Sequence, residues 1–176
     1  MVTIHDVLEK QDNEKGGAAR CSATDIHSRR HAPTARHERR APYMITVLIV
    51  DDHPLFRDGL QIALNSESDI RVVGQCADGE QALEAAESLQ PDVVLLDVNL
   101  PSINGLQVAR QLKSNGTFVA VVVLTAYHAS HQVLHAMRAG ASAYCPKDIT
   151  PDALIDVIRD AAAGYFIVGD QRKDAG

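Results

Sequence analysis

The run Val93-Val94-Leu95-Leu96-Asp97 is apolar up to a single closing acid, and it constrains the fold more than any other part of the chain. It follows the breaker pair Pro91-Asp92. A continuous apolar run of this length is typical of a strand that is buried on both faces of a parallel sheet. In open parallel α/β sheets, ligands bind at the carboxyl ends of the strands. Asp97 lies at such an end, so we take it as the candidate reactive group.

From Ile45 onward, apolar runs alternate with segments of helical periodicity. The runs predict five strands: Ile45–Val50, Ile70–Cys76, Val93–Asp97, Val119–Leu124 and Ala143–Cys145. Helices are predicted to begin near five residues: Pro54, Gly79, Leu106, Ser130 and Pro151. Short right-handed crossovers make this an α/β fold, a flavodoxin-like doubly wound five-stranded parallel sheet with strand order 2-1-3-4-5 and five helices.

Three side chains mark helix boundaries in this prediction. Asp78 and Gln81 have the spacing of a capping box, so they open the second helix. Thr150 caps the last helix, because a proline follows it at the first helical position.

The remaining segments lie at the two ends of the chain. Residues 1–43 show no sustained periodicity and are rich in Gly, Ser, His, Pro and Arg, so we expect a disordered extension. Its arginines are read as part of a solvated tail, with an arm that binds nucleic acid or an acidic partner as the alternative. Met44 immediately precedes the first strand and is a plausible natural start. The folded domain is expected to span residues 44–165, and residues 166–176 are expected to form a linker stub.

Composition excludes several classes of protein. The net charge of −6 argues against general affinity for nucleic acids or membrane surfaces. The chain has three widely separated cysteines, Cys21, Cys76 and Cys145, which fits a reducing compartment and neither a disulfide framework nor a structural zinc site. No apolar run approaches the roughly 20 residues of a membrane span. We therefore expect a cytoplasmic protein.

The predicted strand order brings three acids together, because the first and third strands are neighbours at the switch point. These acids are Asp51, Asp52 and Asp97. Crowded carboxylates repel one another unless a cation is present, and oxygen ligands with few donors suit Mg²⁺. Thr125 ends the fourth strand and Lys147 follows the fifth. An acid cluster, a hydroxyl and a lysine at one sheet edge are what phosphoryl transfer to a carboxylate requires, with Asp97 as the nucleophile.

Each of these residues alone has an ordinary structural explanation. An acid at a strand end can cap the next helix, Thr125 can be a turn residue, and Lys147 can be a solvated charge. The case for function rests on their occurrence together at the ends of successive strands.

This set of motifs resembles the receiver domain of bacterial response regulators. The likeness runs from Met44 to about Gly164 and is carried by four motifs: Asp51-Asp52-His53, Leu96-Asp97-Val98-Asn99-Leu100-Pro101 with Gly105, Leu124-Thr125-Ala126, and Ala143-Tyr144-Cys145-Pro146-Lys147.

The resemblance implies a phosphoacceptor and not an enzyme that acts on other molecules. Asp97 would take a phosphoryl group from a sensor histidine kinase. Asp52 and Asp97 would ligate Mg²⁺, with Asp51 acting mainly through water and the Asn99 main-chain carbonyl as a further ligand. Lys147 would contact the phosphoryl group.

By the same resemblance, Thr125 and Tyr144 would form a switch pair. A new dianion on Asp97 offers acceptors to the Thr125 hydroxyl. Moving Thr125 inward vacates space that the Tyr144 ring can fill. The surface made by the fourth helix, the fifth strand and the fifth helix would then shift between two arrangements.

Several details bear on the subfamily. The run from Asp52 to Leu60, and the pair Lys147-Asp148, resemble the NarL/FixJ subfamily, whereas many receivers have Pro directly after the lysine. Members of that subfamily usually carry a C-terminal helix-turn-helix domain for transcription regulation, so DNA binding is expected only of a domain outside this chain. A homodimer is also compatible with the family. The resemblance also implies that Asn99 and Tyr127 occupy positions that tune the lifetime of the phosphoryl group, without giving the direction of the effect.

Three histidines at helical spacing, His128, His131 and His135, would share a helix face. They are expected to form a solvated stripe, with a metal pair at i, i+4 as the alternative.

Other readings of the chain remain open. A stand-alone receiver or phosphorelay intermediate would act through protein contacts alone. A phosphatase of the haloacid dehalogenase type also uses an Asp nucleophile, but in D-x-D-x-T after the first strand, where this chain has Asp51-Asp52-His53-Pro54-Leu55. Flavin-binding and cobalamin-binding modules share the fold. This chain, however, has neither the phosphate loop of the first nor the D-x-H-x-x-G pattern of the second.

Overall fold

The structure is a computed structural model that describes residues 43–116, 118–126, 130–168 and 171–174. The predicted extension of residues 1–43 lies outside the described residues, except for Tyr43. Tyr127 and His128 lie outside them as well, as does the side chain of His131. The expectations for these residues stay predictions.

The described residues form one sheet of seven strands in the order β2-β1-β3-β4-β5-β6-β7. The strands are β1 (Ile45–Val50), β2 (Ile70–Cys76), β3 (Val93–Asp97), β4 (Ala120–Thr125), β5 (Ala143–Pro146), β6 (Tyr165–Val168) and β7 (Gln171–Asp174). Pairing from β2 through β6 is parallel, and β7 runs antiparallel to β6. The predicted order of the first five strands is confirmed.

Five helices connect or follow these strands within the described residues. They are α1 (Pro54–Asn65), α2 (Gly79–Leu89), α3 (Gly105–Ser114), α4 (Ser130–Arg138) and α5 (Pro151–Ala162). In the part of the chain that the structure describes, none of the helices has the length and apolarity needed to cross a bilayer.

The sheet has an apolar core on each face, which explains why its central strands are continuous apolar runs. Successive residues of β3 alternate between the two cores: Val93 and Leu95 belong to one, and Val94 and Leu96 to the other. The first core is closed by α1 and α5, and the second by α2, α3 and α4. All four side chains are at most 1% exposed.

Helix caps fix the turns that follow the strands. Asp78 caps α2 by accepting a hydrogen bond from Glu80 N at 2.8 Å. The capping box lies on α3 instead, where Asn104 Oδ1 accepts from Leu106 N at 2.9 Å and Gln107 Oε1 accepts from Asn104 N at 3.3 Å. Such caps contribute about 1 kcal/mol each, and this one begins α3 directly after the loop that follows Asp97.

The expected linker at residues 166–176 instead carries β6 and β7. Tyr165–Val168 is an aromatic and β-branched run, a composition that suits a strand. Ile167 packs into the first core at 7% exposure, and its main-chain N donates to the Ser142 carbonyl at 2.8 Å. Burial of Ile167 and pairing with the otherwise open edge of β5 account for the added strand.

The turn between β3 and α3 depends on the absence of a side chain at Gly105. A Cβ at this position would lie 2.0 Å from the main-chain oxygen of Asp97, and Gly105 N donates to the Val98 carbonyl at 2.9 Å. Replacement of Gly105 must therefore displace the backbone next to the candidate reactive group.

We predict that Gly105→Ala lowers the free energy of unfolding by about 1–3 kcal/mol, the usual cost of overpacking a tight site. Chemical denaturation in urea measures it. Gly59→Ala is the matched control, because a Cβ there has nothing within 4 Å. On an exposed helix position, alanine should be neutral or stabilise by up to about 1 kcal/mol. Equal stabilities for the two variants would contradict the close approach.

Candidate functional site

The carboxyl ends of four strands place the predicted residues at one edge of the sheet. β1 and β3 pair in parallel with Val50 opposite Leu96, so the acids that follow or end these strands are neighbours. Thr125 ends β4 and is 1% exposed, and the Lys147 main-chain N donates to its carbonyl at 2.8 Å. The structure thus brings together the acids, the hydroxyl and the lysine.

Lys147 connects the two buried acids. Its Nζ lies 2.7 Å from Asp51 Oδ2 and 2.9 Å from Asp97 Oδ2. Asp51 and Asp97 are 1% and 2% exposed. The Lys147 ammonium also lies 5.0 Å from the centre of the Phe56 ring on α1, which adds a cation–π contact. The lysine is therefore held over the acids by three separate groups.

The pKa of Asp97 lies above its ordinary value, first because burial disfavours the charged carboxylate. The hydrogen bond and charge of Lys147 act in the opposite direction, and the nearby Asp51 raises the pKa further. For Lys147, burial lowers the pKa, but hydrogen bonds and charges from Asp51 and Asp97 outweigh it and the net direction is upward. One positive charge therefore compensates these two acids incompletely.

Asp97 carries a buried oxygen that is not paired with Lys147. Asp97 Oδ1 accepts no hydrogen bond from the residues that the structure describes. An unsatisfied buried polar atom is costly and calls for a ligand or an ion. A cation would satisfy this oxygen and relieve the repulsion between the acids.

The acidic cluster also contains a histidine. His53 Nδ1 lies 2.6 Å from Asp52 Oδ1 and 3.1 Å from Asp51 Oδ1. Ligand atoms of these three residues and of Asp97 lie within 4.8 Å of one another. This spacing fits a single divalent ion, and three of the four donors are carboxylates. The three carboxylates therefore fit the predicted Mg²⁺, and no role for His53 was predicted from sequence.

Two further contacts were not predicted from sequence. Arg57 on α1 donates to the main-chain oxygen of Asp51 at 2.5 Å, which ties the start of the helix to the acid. The Tyr144 hydroxyl donates to Gln132 Oε1 on α4 at 3.0 Å, and the ring of Tyr144 packs against the second core. The first contact could have been expected from the sequence, because Arg57 lies one helical turn beyond Pro54. No sequence feature indicates the contact between Tyr144 and Gln132.

Two other residues named in the sequence predictions, Asn99 and His135, are exposed. Asn99 is exposed in the loop after β3, and its role as a main-chain ligand stays a prediction. His135 is exposed on α4, whereas the described side chains do not include its two companions in the predicted stripe.

Comparisons with known proteins agree with this architecture. A doubly wound parallel sheet with a polar cluster at the switch point defines the class of open α/β proteins that bind ligands at their strand ends. The family model for the response regulator receiver domain matches residues 47–159. The chain belongs to this family.

Two curated relatives indicate the subfamily. The nitrate/nitrite response regulator protein NarL of Escherichia coli (strain K12) is 38% identical over 125 residues, which cover 71% of this chain and 58% of NarL. The transcriptional regulatory protein DegU of Brevibacillus brevis is 39% identical over 120 residues, 68% of this chain and 51% of DegU. The predicted NarL-type receiver is confirmed. The chain spans little more than half the length of these relatives.

Solved structures give the same result. A two-component response regulator of the LuxR family from Aurantimonas sp. SI85-9A1 superposes with a TM-score of 0.66 at 29% identity, covering 69% of this chain and 86% of that one. The response regulator domain of Thermotoga maritima CheB gives 0.64 at 28% identity, covering 68% and 97%. Response regulators of two-component systems interact with histidine kinases.

We predict that Asp97→Asn raises the free energy of unfolding in metal-free buffer at neutral pH, which a higher urea midpoint measures. The raised pKa of Asp97 means that its ionised form destabilises the folded state, and this penalty fades as pH falls through the folded-state pKa. The gain should therefore shrink as the pH is lowered.

The matched control is Asp58→Asn, the same change at an exposed position on α1. It should alter stability by no more than about 0.5 kcal/mol. An Asp97→Asn variant less stable than the parent at neutral pH would show that the acid is not electrostatically strained.

Proposed function

We propose that this chain accepts a phosphoryl group on Asp97 from a sensor histidine kinase, in a reaction that depends on Mg²⁺. The observation that carries the proposal is the Lys147 ammonium 2.9 Å from Asp97 Oδ2, while the buried Asp97 Oδ1 accepts no hydrogen bond from any described residue. The nitrogen–phosphorus bond of the donor breaks as a bond forms between phosphorus and an Asp97 oxygen. The released imidazole then takes up a proton.

The metal would be held by Asp52, Asp97 and the Asn99 main-chain carbonyl, with Asp51 acting through water. Bound there, Mg²⁺ supplies positive charge to the phosphoryl oxygens. The distribution of acids supports this assignment, since the Asp52 side chain is 39% exposed and accessible from solvent, whereas Asp51 is buried against Lys147.

The protein's own side chains do the rest. Lys147 is already protonated and anchored, so it can follow the charge from the Asp97 carboxylate to the new phosphoryl oxygens. The Thr125 hydroxyl is buried at the neighbouring strand end and offers a donor to the same oxygens. We assign the chain no activity on other molecules beyond its own phosphorylation and dephosphorylation, and we place it in the cytoplasm.

Acetyl phosphate with Mg²⁺ should add one phosphoryl group to the native protein, because a small donor needs no kinase contact. Intact-mass spectrometry should show one added group that is lost in mild alkali, as an acyl phosphate is. Asp97→Asn should show none, and omission of Mg²⁺ should abolish the addition. A full phosphoryl group on Asp97→Asn would refute Asp97 as the acceptor.

Phosphorylation is proposed to act through Thr125 and Tyr144 on the face formed by α4, β5 and α5. The contact that resists the change is the hydrogen bond from Tyr144 to Gln132, which holds the half-buried ring against α4. If Thr125 moves toward a charged Asp97, the ring can follow only by leaving Gln132. That exchange links the site to α4.

Beryllofluoride, which mimics the phosphoryl group, should therefore shift the amide NMR signals of Thr125, Gln132 and Tyr144 in the presence of Mg²⁺. Tyr144→Phe keeps the ring but loses the bond to Gln132, so its Gln132 signal should respond less. Asp97→Asn is the control. Its spectrum in the presence of Mg²⁺ should be the same with and without beryllofluoride. Unchanged signals in the parent chain would remove the switch from the account.

The output of the switch is proposed to be transcription regulation through a C-terminal DNA-binding domain like those expected in this subfamily. The intact regulator is proposed to act as a homodimer. DegU is by its name a transcriptional regulatory protein, and it extends well beyond the matched region. The alternative is a receiver that passes the phosphoryl group on or acts by protein contact alone. The coding sequence after Gly176 decides between them.

A further inference from the structure

The imidazole of His53 is aimed at the acids and not at its own helix. His53 occupies the cap position of α1, yet its side chain makes no capping hydrogen bond. Its main-chain N donates to Asp51 Oδ1 at 2.8 Å, and Pro54 follows at the first helical position. The backbone is thus fixed on both sides, so the ring is held beside the carboxylates.

The His53 ring nitrogen lies close enough to the acids to share one metal ion with them. Nδ1 is 2.6 Å from Asp52 Oδ1, and its group of four ligand atoms fits within 4.8 Å. A second observation marks this cluster as a ligand site: Asp97 belongs to it, and its buried Oδ1 accepts no hydrogen bond from the described part of the chain. The cluster therefore offers one nitrogen donor in addition to three carboxylates.

We propose that His53 Nδ1 is a ligand when the cluster holds a transition-metal ion such as Zn²⁺ or Ni²⁺, and that His53 sets which divalent ion the site prefers. The inference rests on the proposed function, in which this cluster is the metal site. Imidazole nitrogen suits Zn²⁺, Ni²⁺ and Cu²⁺, whereas Mg²⁺ selects oxygen ligands and retains its waters. His53 therefore adds affinity for the first group and little for Mg²⁺.

Zinc bound at this cluster should interfere with phosphoryl acceptance. A Zn²⁺ ion bound through His53 and the carboxylates occupies the place of Mg²⁺ and engages Asp97 oxygens. Transition metals would then inhibit phosphoryl acceptance at lower concentrations than they would at a site with oxygen ligands only.

The test uses the full chain, with Zn²⁺ and Mg²⁺ as separate probes at one fixed pH. Long-range ¹H–¹⁵N NMR reports each histidine ring separately, so metals bound by other histidines do not obscure the result. One equivalent of Zn²⁺ should move the His53 Nδ1 resonance to the position of a metal-bound nitrogen, and Mg²⁺ should leave it in place. A His53 ring that responds to neither ion, or equally to both, overturns the proposal.

Affinity provides the second readout. By competition titration, His53→Gln should weaken Zn²⁺ binding at the cluster about tenfold or more, while Mg²⁺ affinity changes less than about twofold. His135→Gln, an exposed histidine on α4, is the matched control and should change neither. Equal losses for the two ions in His53→Gln would show a structural role only.

Labelling by acetyl phosphate separates this proposal from the proposed function. With labelling by Mg²⁺ alone taken as the reference for each protein, the Zn²⁺ concentration that halves labelling should be about tenfold higher in His53→Gln than in the parent chain. If the parent chain is not phosphorylated at all, the proposed function fails, while the zinc result at His53 stands or falls on its own. Unchanged zinc inhibition in His53→Gln counts against His53.

Discussion

The ammonium of Lys147 lies between the carboxylates of Asp51 and Asp97, and the geometry of the site depends on this contact. Two acids in the low-dielectric edge of a sheet would repel each other and force one to take up a proton. Lys147 compensates them, but only in part, because the pKa of Asp97 stays raised. The remaining imbalance is what a divalent ion would remove.

The backbone delivers these charges to one place with little help from loops. In-register pairing of β1 with β3 and of β4 with β5 sets the distance between the strand ends. The apolar cores on both faces hold the strands, so the polar groups can lie only where the strands stop. Gly105 and the capping box at Asn104 then close the loop that follows Asp97 and begin α3. The apolar interior of each strand thus stabilises the fold, and the polar groups at its end form the candidate site.

Sequence predicted the parts of this arrangement that periodicity controls. Runs that end in an acid, a threonine or a lysine predict strand ends, and short connections predict the order that makes these ends neighbours. Side-chain direction was not predictable, because the rotamers of His53 and Tyr144 depend on partners that the fold supplies, such as Asp52 and Gln132. β6 was missed because burial of Ile167 becomes favourable only once β5 is in place to pair with it.

The most direct test of the account is the position of the metal. A crystal of the chain grown with Mn²⁺, as a substitute for Mg²⁺ with strong anomalous scattering, would locate it without reference to any activity. The account predicts one peak bonded to the Asp52 and Asp97 carboxylates and to the Asn99 main-chain carbonyl, with Lys147 still beside the acids. A peak elsewhere on the surface, or none at the acids at saturating Mn²⁺, would contradict the assignment of this cluster as the metal-dependent acceptor site.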